Sequence, residues 1–157
     1  EARMLSKAKK LGIRTPLVYA VDEKNARLVI EFIKGKALKK YLLDRKEKND
    51  CLKKLKEAGR QVALMHENSL IHGDLTTSNI LLHNGKLFFI DFGLSKSSEL
   101  LEEKAMDLVV FEKTFQATHS GLSGGWAGVL EGYAAAGKGS GKVFERMKEI
   151  KERARYL

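Results

Sequence analysis

Ala2, Leu5, Ala8 and Leu11 recur at helical spacing and predict a first helix over residues 1–11, with Gly12 just past its end. Pro16 interrupts that pattern, and two apolar runs, 17–21 and 27–32, separated by polar residues, predict a pair of strands. Helical periods then return. A short helix is expected over 37–44 and a long one over 50–68, whose Leu52, Leu55, Val62 and Met65 share one face. Past residue 70 the period changes again, because the β-type runs 80–82 and 87–90 flank Asn84-Gly85, a strong hairpin signal. Beyond the hairpin, 99–118 reads as a helix with Leu108, Val109 and Phe111 as its apolar contacts. Gly121, Gly124 and Gly125 mark a loop, 126–136 a further helix, and Lys138-Gly139-Ser140-Gly141 a break. Val143, Met147 and Ile150 line one side of a last helix over 143–156. Helix, two strands, helices, hairpin, helices is an α+β order.

The hairpin register carries chemistry. A two-residue turn at Asn84-Gly85 sets His83 opposite Lys86, and counting back places Asn79 opposite Ile90, beside Asp91. Paired strands lie only about 5 Å apart, so Asn79 and Asp91 meet at one end of the ribbon. An amide oxygen and a carboxylate converging there suit a hard, oxygen-preferring cation such as Mg²⁺. Asp74, five residues before Asn79, lies in a loop and adds a third polar group with a separate task.

Composition narrows the class. The 157 residues suit one domain, and a 43% hydrophobic content is ample for a core. No apolar run reaches membrane-spanning length and no signal-peptide pattern opens the chain. The single Cys51 excludes an internal disulfide and a cysteine-built metal site, which fits a reducing cytoplasm. The net charge of +9 points to an anionic partner. It concentrates in 34–60, with eleven basic and four acidic residues, and in 138–157, with seven and three. Such runs are usually solvated helix faces, although an excess of this size also suits contact with tRNA. The chain opens at Glu1 within helical periodicity and is expected to be a fragment or one part of a fusion.

His72-Gly73-Asp74-Leu75-Thr76-Thr77-Ser78-Asn79 resembles the protein-kinase catalytic loop at every fixed position but the second, and Asp91-Phe92-Gly93 resembles the metal-binding triplet that follows it. By that resemblance the fold is protein-kinase-like. Residues 1–33 would be a partial N-lobe and 34–157 a mostly helical C-lobe ending in a basic helix. Asp74 would orient or deprotonate the acceptor hydroxyl, and Asn79 and Asp91 would hold Mg²⁺ on the phosphates of ATP. The backbone of Glu31 and Ile33 would meet adenine, although a strand ending in a turn is the plainer reading of that stretch. Glu1 would be the helix glutamate that pairs with a strand lysine, or simply a solvated first-turn carboxylate.

Departures from the common pattern narrow the family further. Gly73 replaces an arginine, Thr76 stands where many Ser/Thr kinases carry lysine, and the only proline is Pro16, so no Ala-Pro-Glu segment is possible. With Ala117-Thr118-His119 and the terminal Arg153-Ala154-Arg155, these features resemble the small atypical kinases related to the RIO group. Among those the chain is most similar to the kinase/ATPase subunit family of the KEOPS complex, which makes a threonylcarbamoyl-adenosine modification of tRNA. The resemblance implies an ATP- and Mg²⁺-dependent enzyme in the cytoplasm, with other KEOPS subunits and tRNA as partners. No Gly-rich phosphate loop or strand lysine lies within the chain, which reads as most of a kinase without its nucleotide cover. Two other readings remain: a small-molecule phosphotransferase of the aminoglycoside-kinase type, and a non-catalytic scaffold for RNA or protein. The first needs a larger acceptor region than the 64 residues after Gly93, and the second has no need of Asp74, Asn79 and Asp91 together. Asp107 is expected to tie down the catalytic-loop backbone. His66, His72, His119 and Trp126 read as structural.

Overall fold

The computed structural model describes residues 1–44 and 47–155. The predicted end of the last helix at residue 156, and the two basic residues at 45 and 46, lie outside the described residues. Helix α1 (Ala2–Lys10) buries Leu5 and Ala8 on the predicted face, with Glu1 as its N-cap, and Gly12 reverses the chain at φ +83°. Strands β1 (Val18–Asp22) and β2 (Arg27–Ile30) form an antiparallel ribbon of their own, with a register shift between Val18 and Ala20. The second predicted strand ends two residues early, because residues 31–35 carry no ladder.

Three two-residue strands carry no readable periodicity and went unpredicted, yet they frame the site. β3 (Lys36–Ala37) leads into α2 (Leu38–Leu43), and β4 (Leu70–Ile71) ends where the His72 loop begins. The hairpin of β5 (Ile80–His83) and β6 (Lys86–Phe89) has the predicted register, with Ile80 opposite Phe89 and His83 opposite Lys86. Asn84 and Gly85 both have positive φ, the geometry that a twist-matched two-residue turn requires. β3 completes a three-stranded antiparallel sheet on β5, while β7 (Lys96–Ser97) returns to pair with β4. The loop 72–79 is therefore fixed at entry by one sheet and at exit by another.

Helix α3 (Lys48–Glu67) runs through the core, with Cys51, Leu55, Ala58, Gly59, Val62, Ala63, Met65 and His66 buried. The predicted stripe holds except at Leu52, which is half-buried. Helix α5 (Gly125–Ala136) lies directly on α3 through glycines. A Cβ on Gly59 would stand 2.0 Å from the Val129 carbonyl oxygen, and one on Gly132 would stand 1.8 Å from that of Lys56. Only bare backbone permits this approach. Helix α4 (Leu101–His119) buries Ala105, Leu108, Phe111 and Phe115, and α6 (Ser140–Arg153) docks on it with Val143, Met147 and Ile150 inward, as expected. The predicted loop and break each run short of expectation, since Gly125 opens α5 and Ser140-Gly141 already belong to α6. Trp126 packs in the core against Phe111 and Phe115. Apart from Ile33 and Ile71, the buried apolar side chains from Leu5 to Ile150 form one continuous cluster among the described residues.

Candidate functional site

The site is assembled on the two ends of the hairpin. The Ile90 N–H donates to the Asn79 carbonyl at 3.0 Å, so the ladder extends one step past β5 and β6 and sets Asp91 beside Asn79. Asn79 is oriented by its own amide. Its Nδ2 donates at 2.9 Å to the Asp74 backbone carbonyl and at 2.9 Å to Asp74 Oδ2. Both amide hydrogens are thus committed to Asp74, and what Asn79 offers elsewhere is its oxygen, an acceptor. The loop between them is tightened because the Asn79 N–H also reaches Thr76, at 3.1 Å to the carbonyl and 3.2 Å to Oγ1.

Asp91 sits at φ +60°, a conformation rare outside glycine, and is exposed. Its Oδ1 accepts from the Gly93 N–H at 3.3 Å, a local turn bond that compensates the backbone. Such local strain persists where the surroundings hold it, and it often marks a working residue. Gly73, the departure from the common loop pattern, is obligatory here. Its φ is +85°, and an added Cβ would stand 2.3 Å from the Leu94 carbonyl oxygen. An arginine at that position would collide with the chain just after Asp91-Phe92-Gly93.

The loop is held from behind by α4. Asp107, 3% exposed, accepts from the His72 N–H (Oδ2, 2.9 Å) and the Gly73 N–H (Oδ1, 2.9 Å). It therefore ties down the backbone of the loop 72–79, as the sequence suggested. Twelve residues on, His119 Nε2 meets Thr77 Oγ1 at 2.9 Å, so one helix grips the loop at both ends. The buried His72 ring accepts the Asp74 N–H on Nδ1 (3.3 Å) and directs Nε2 at the Ile90 carbonyl (3.2 Å). These partners demand a neutral ring, and burial pushes its pKa below the ordinary histidine value, only partly offset by Asp107 and the Ile90 carbonyl. His72 thus joins the loop to the end of the hairpin. Its structural reading stands.

Glu1, Glu31, Ile33 and Asp91 line one hollow of about 540 Å³, together with Pro16, Ile30, Phe32, Leu81 and Ile90. The Glu31 N–H is committed to the Leu17 carbonyl at 2.8 Å, and its carboxylate accepts from the Leu17 N–H at 3.0 Å. The Ile33 carbonyl accepts from Gly35 at 2.8 Å. What this segment can present to a ligand edge is therefore the Glu31 carbonyl and the Ile33 N–H, one acceptor and one donor. Glu1 accepts from the N–H groups of Met4 and Leu5 through its carbonyl, while its side chain makes no capping bond. A second hollow, about 350 Å³, lies on the far side of Gly73 and Asp107 and is bounded by Leu94 and Met106.

Residues 1–114 match the model of the RIO domain. The chain belongs to the RIO-domain family. Among curated relatives, the KEOPS complex subunit Bud32 of Pyrococcus abyssi is 40% identical over 159 residues, covering 99% of this chain and 72% of that protein. The EKC/KEOPS complex subunit bud32 of Dictyostelium discoideum is 41% identical over 99% of this chain and 64% of its own length. A probable bifunctional tRNA threonylcarbamoyladenosine biosynthesis protein of Methanobrevibacter smithii is 44% identical over 99% of this chain, which spans only 28% of that protein. Among solved structures, WaaP in complex with acyl carrier protein superposes with a TM-score of 0.69 over 96% of this chain and 73% of its own, at 16% identity. That likeness concerns the fold, which is the kinase-like α+β arrangement expected from the sequence. The RIO domain thus brings Asp74, Asn79 and Asp91 to one place, and Glu1, Glu31 and Ile33 to the adjoining hollow. Sequence reasoning missed the partners of His66 and His119. A buried histidine on an apolar helix face was itself the signal, since its ring nitrogens must be satisfied somewhere.

Proposed function

We propose that this RIO domain is the ATP- and Mg²⁺-dependent kinase or ATPase part of a KEOPS-type assembly that modifies tRNA. The Asp74–Asn79 couple carries the proposal. A carboxylate whose Oδ2 is fixed by an amide has Oδ1 left to accept the proton of an attacking hydroxyl, whether serine, threonine or water. The amide so fixed turns its oxygen outward, and with the Asp91 carboxylate it forms an all-oxygen donor pair of the kind Mg²⁺ prefers. Bound there, Mg²⁺ would neutralise charge on the phosphates. Asn79 and Asp91 hold, and Asp74 receives the proton. The Glu31 carbonyl and Ile33 N–H read an adenine edge, and Glu1 stands at the rim to pair with a lysine. In this reading residues 1–33 belong to an N-lobe and 34–157 to a C-lobe, with the hollow between them.

The partner assignment, other KEOPS subunits and tRNA in the cytoplasm, rests on the relatives and on charge. No helix among the described residues is long and apolar enough to cross a membrane. On α6 the basic groups are largely neutralised: Lys151 pairs with Glu112, Arg153 with Glu102, and Arg146 with Glu102 and Glu149. Lys34, Lys39, Lys40, Lys48 and Lys53 are exposed and form no ion pair among the described residues, which favours the middle segment for phosphate contact. The test is nucleotide turnover by the full-length protein carrying Asn79→Ala or Asp91→Ala. Each is expected to abolish Mg²⁺-dependent turnover while the circular dichroism spectrum stays that of the wild type. Wild-type turnover in either variant would remove the site assignment.

A further inference from the structure

The support of the catalytic loop does not end at Asp107. Oδ2 of this buried carboxylate also meets His66 Nε2 at 3.1 Å, and His66 Nδ1 meets the Tyr133 hydroxyl at 2.9 Å. Tyr133 is 2% exposed, His66 1% and Asp107 3%, so water is not a substitute partner for any of them. The three side chains come from α5, α3 and α4, and the last of them holds the N–H groups of His72 and Gly73, directly before Asp74. Tyr133 lies outside the segment 1–114 that matches the family domain. The catalytic loop is therefore braced in part by a helix that the matched segment lacks.

We infer that Tyr133, acting through His66 and Asp107, is a positioning residue for Asp74, and that its hydroxyl rather than its ring carries the effect. The physical reason lies in the imidazole. A neutral histidine can place its single proton on either nitrogen. With the proton on Nε2, His66 donates to Asp107; with the proton on Nδ1, a lone pair faces the carboxylate and the contact turns repulsive. The carboxylate thus selects the first tautomer, and a phenol hydroxyl donating to the Nδ1 lone pair completes it and fixes the ring. A partner on the far ring nitrogen fixes metal-bound histidines in the same way. Burial pushes the Tyr133 phenol well above its ordinary pKa, so it remains a donor across the physiological range. Asp107 then receives three N–H donors at fixed positions: two backbone amides and one imidazole. Loss of the hydroxyl leaves the His66 Nδ1 lone pair buried without a donor, removes one of the two bonds that fix the ring, and lets the ring, Asp107 and the two amides shift.

This inference rests on the phosphoryl-transfer reading for its kinetic consequence but not for its structural one. The variant is Tyr133→Phe in the full-length protein, which keeps the ring against Phe144 and deletes one oxygen. Two measurements are made. Ring ¹⁵N and backbone amide spectra should show a displaced His66 Nδ1 resonance, the mark of its lost hydrogen bond, with displaced His72 and Gly73 amide resonances. Steady-state turnover should show kcat lowered on the order of tenfold, the scale of one hydrogen bond, with the KM for nucleotide within about twofold of wild type. His66→Gln, whose amide can still donate to Asp107, should retain more kcat than His66→Leu. Unchanged His66 and loop-amide spectra in Tyr133→Phe would overturn the inference. So would altered spectra with an unchanged kcat, since the hydroxyl would then brace the core without positioning Asp74. A wild type with no turnover would end the phosphoryl-transfer reading instead, and the spectra alone would then decide whether the hydroxyl positions the loop.

Discussion

Asp107 shows how much of a site rests on one atom pair. Two backbone N–H groups and an imidazole converge on its carboxylate, with no lysine or arginine of the described residues paired to it. Asp107→Asn keeps the shape but can offer only one acceptor atom. Its amide nitrogen would face either the Gly73 N–H or the pair formed by the His72 N–H and His66 Nε2. At least one buried donor then loses its acceptor, at about 1–3 kcal/mol each. The expected outcome is a denaturation midpoint lowered by an amount equivalent to roughly 2–5 kcal/mol, together with loss of turnover. A midpoint within 0.5 kcal/mol of wild type, read from urea titrations, would mean that the carboxylate is not the anchor described. At this scale the sequence was partly legible. Asp74, Asn79 and Asp91 stood out because two spaced motifs agreed, and Asp107 because an acid sat among apolar neighbours. His66 and Tyr133 were opaque, since nothing in a linear string says that residues 67 positions apart share a hydrogen bond.

Among the elements, legibility followed periodicity. The hairpin's register was readable to the residue because Asn-Gly permits positive φ at both turn positions and the flanking runs admit one pairing. β3, β4 and β7 were not, because two residues form no period and their pairing is decided by the elements they join. Helix α5 was expected, but its intimacy with α3 was not. Its glycines read as weak helix positions, and only their contact distances show that they admit backbone against backbone. Gly132→Ala must therefore separate the two helices and is expected to destabilise by about 1–3 kcal/mol through overpacking. Gly141→Ala, in the first turn of α6 with no atom within 4 Å of its Cβ, should instead stabilise by up to about 1 kcal/mol. Equilibrium unfolding of both variants checks the pair. Equal effects would mean that helix propensity, not close packing, governs these positions.

For the whole molecule, the apolar cluster joins α1 to α6 and holds the loop between two small sheets and one long helix. The β1–β2 ribbon packs the half-buried Val18 and Leu28 against that cluster and leaves Tyr19, Val21 and Val29 open to solvent. The fold class was legible as helices around a motif-bearing hairpin, whereas the placement of charge was not. The basic terminal helix looked free in sequence, but α4 supplies glutamates that neutralise much of it. The proposed function has Asp74 act as proton acceptor within an otherwise intact nucleotide site. The direct measurement is single-turnover phosphoryl transfer by the full-length protein and its Asp74→Asn variant, with nucleotide affinity titrated in parallel. Asp74→Asn should leave nucleotide affinity within about twofold and slow transfer by on the order of 10²–10⁴. Weakened affinity with an unchanged transfer rate would contradict the account.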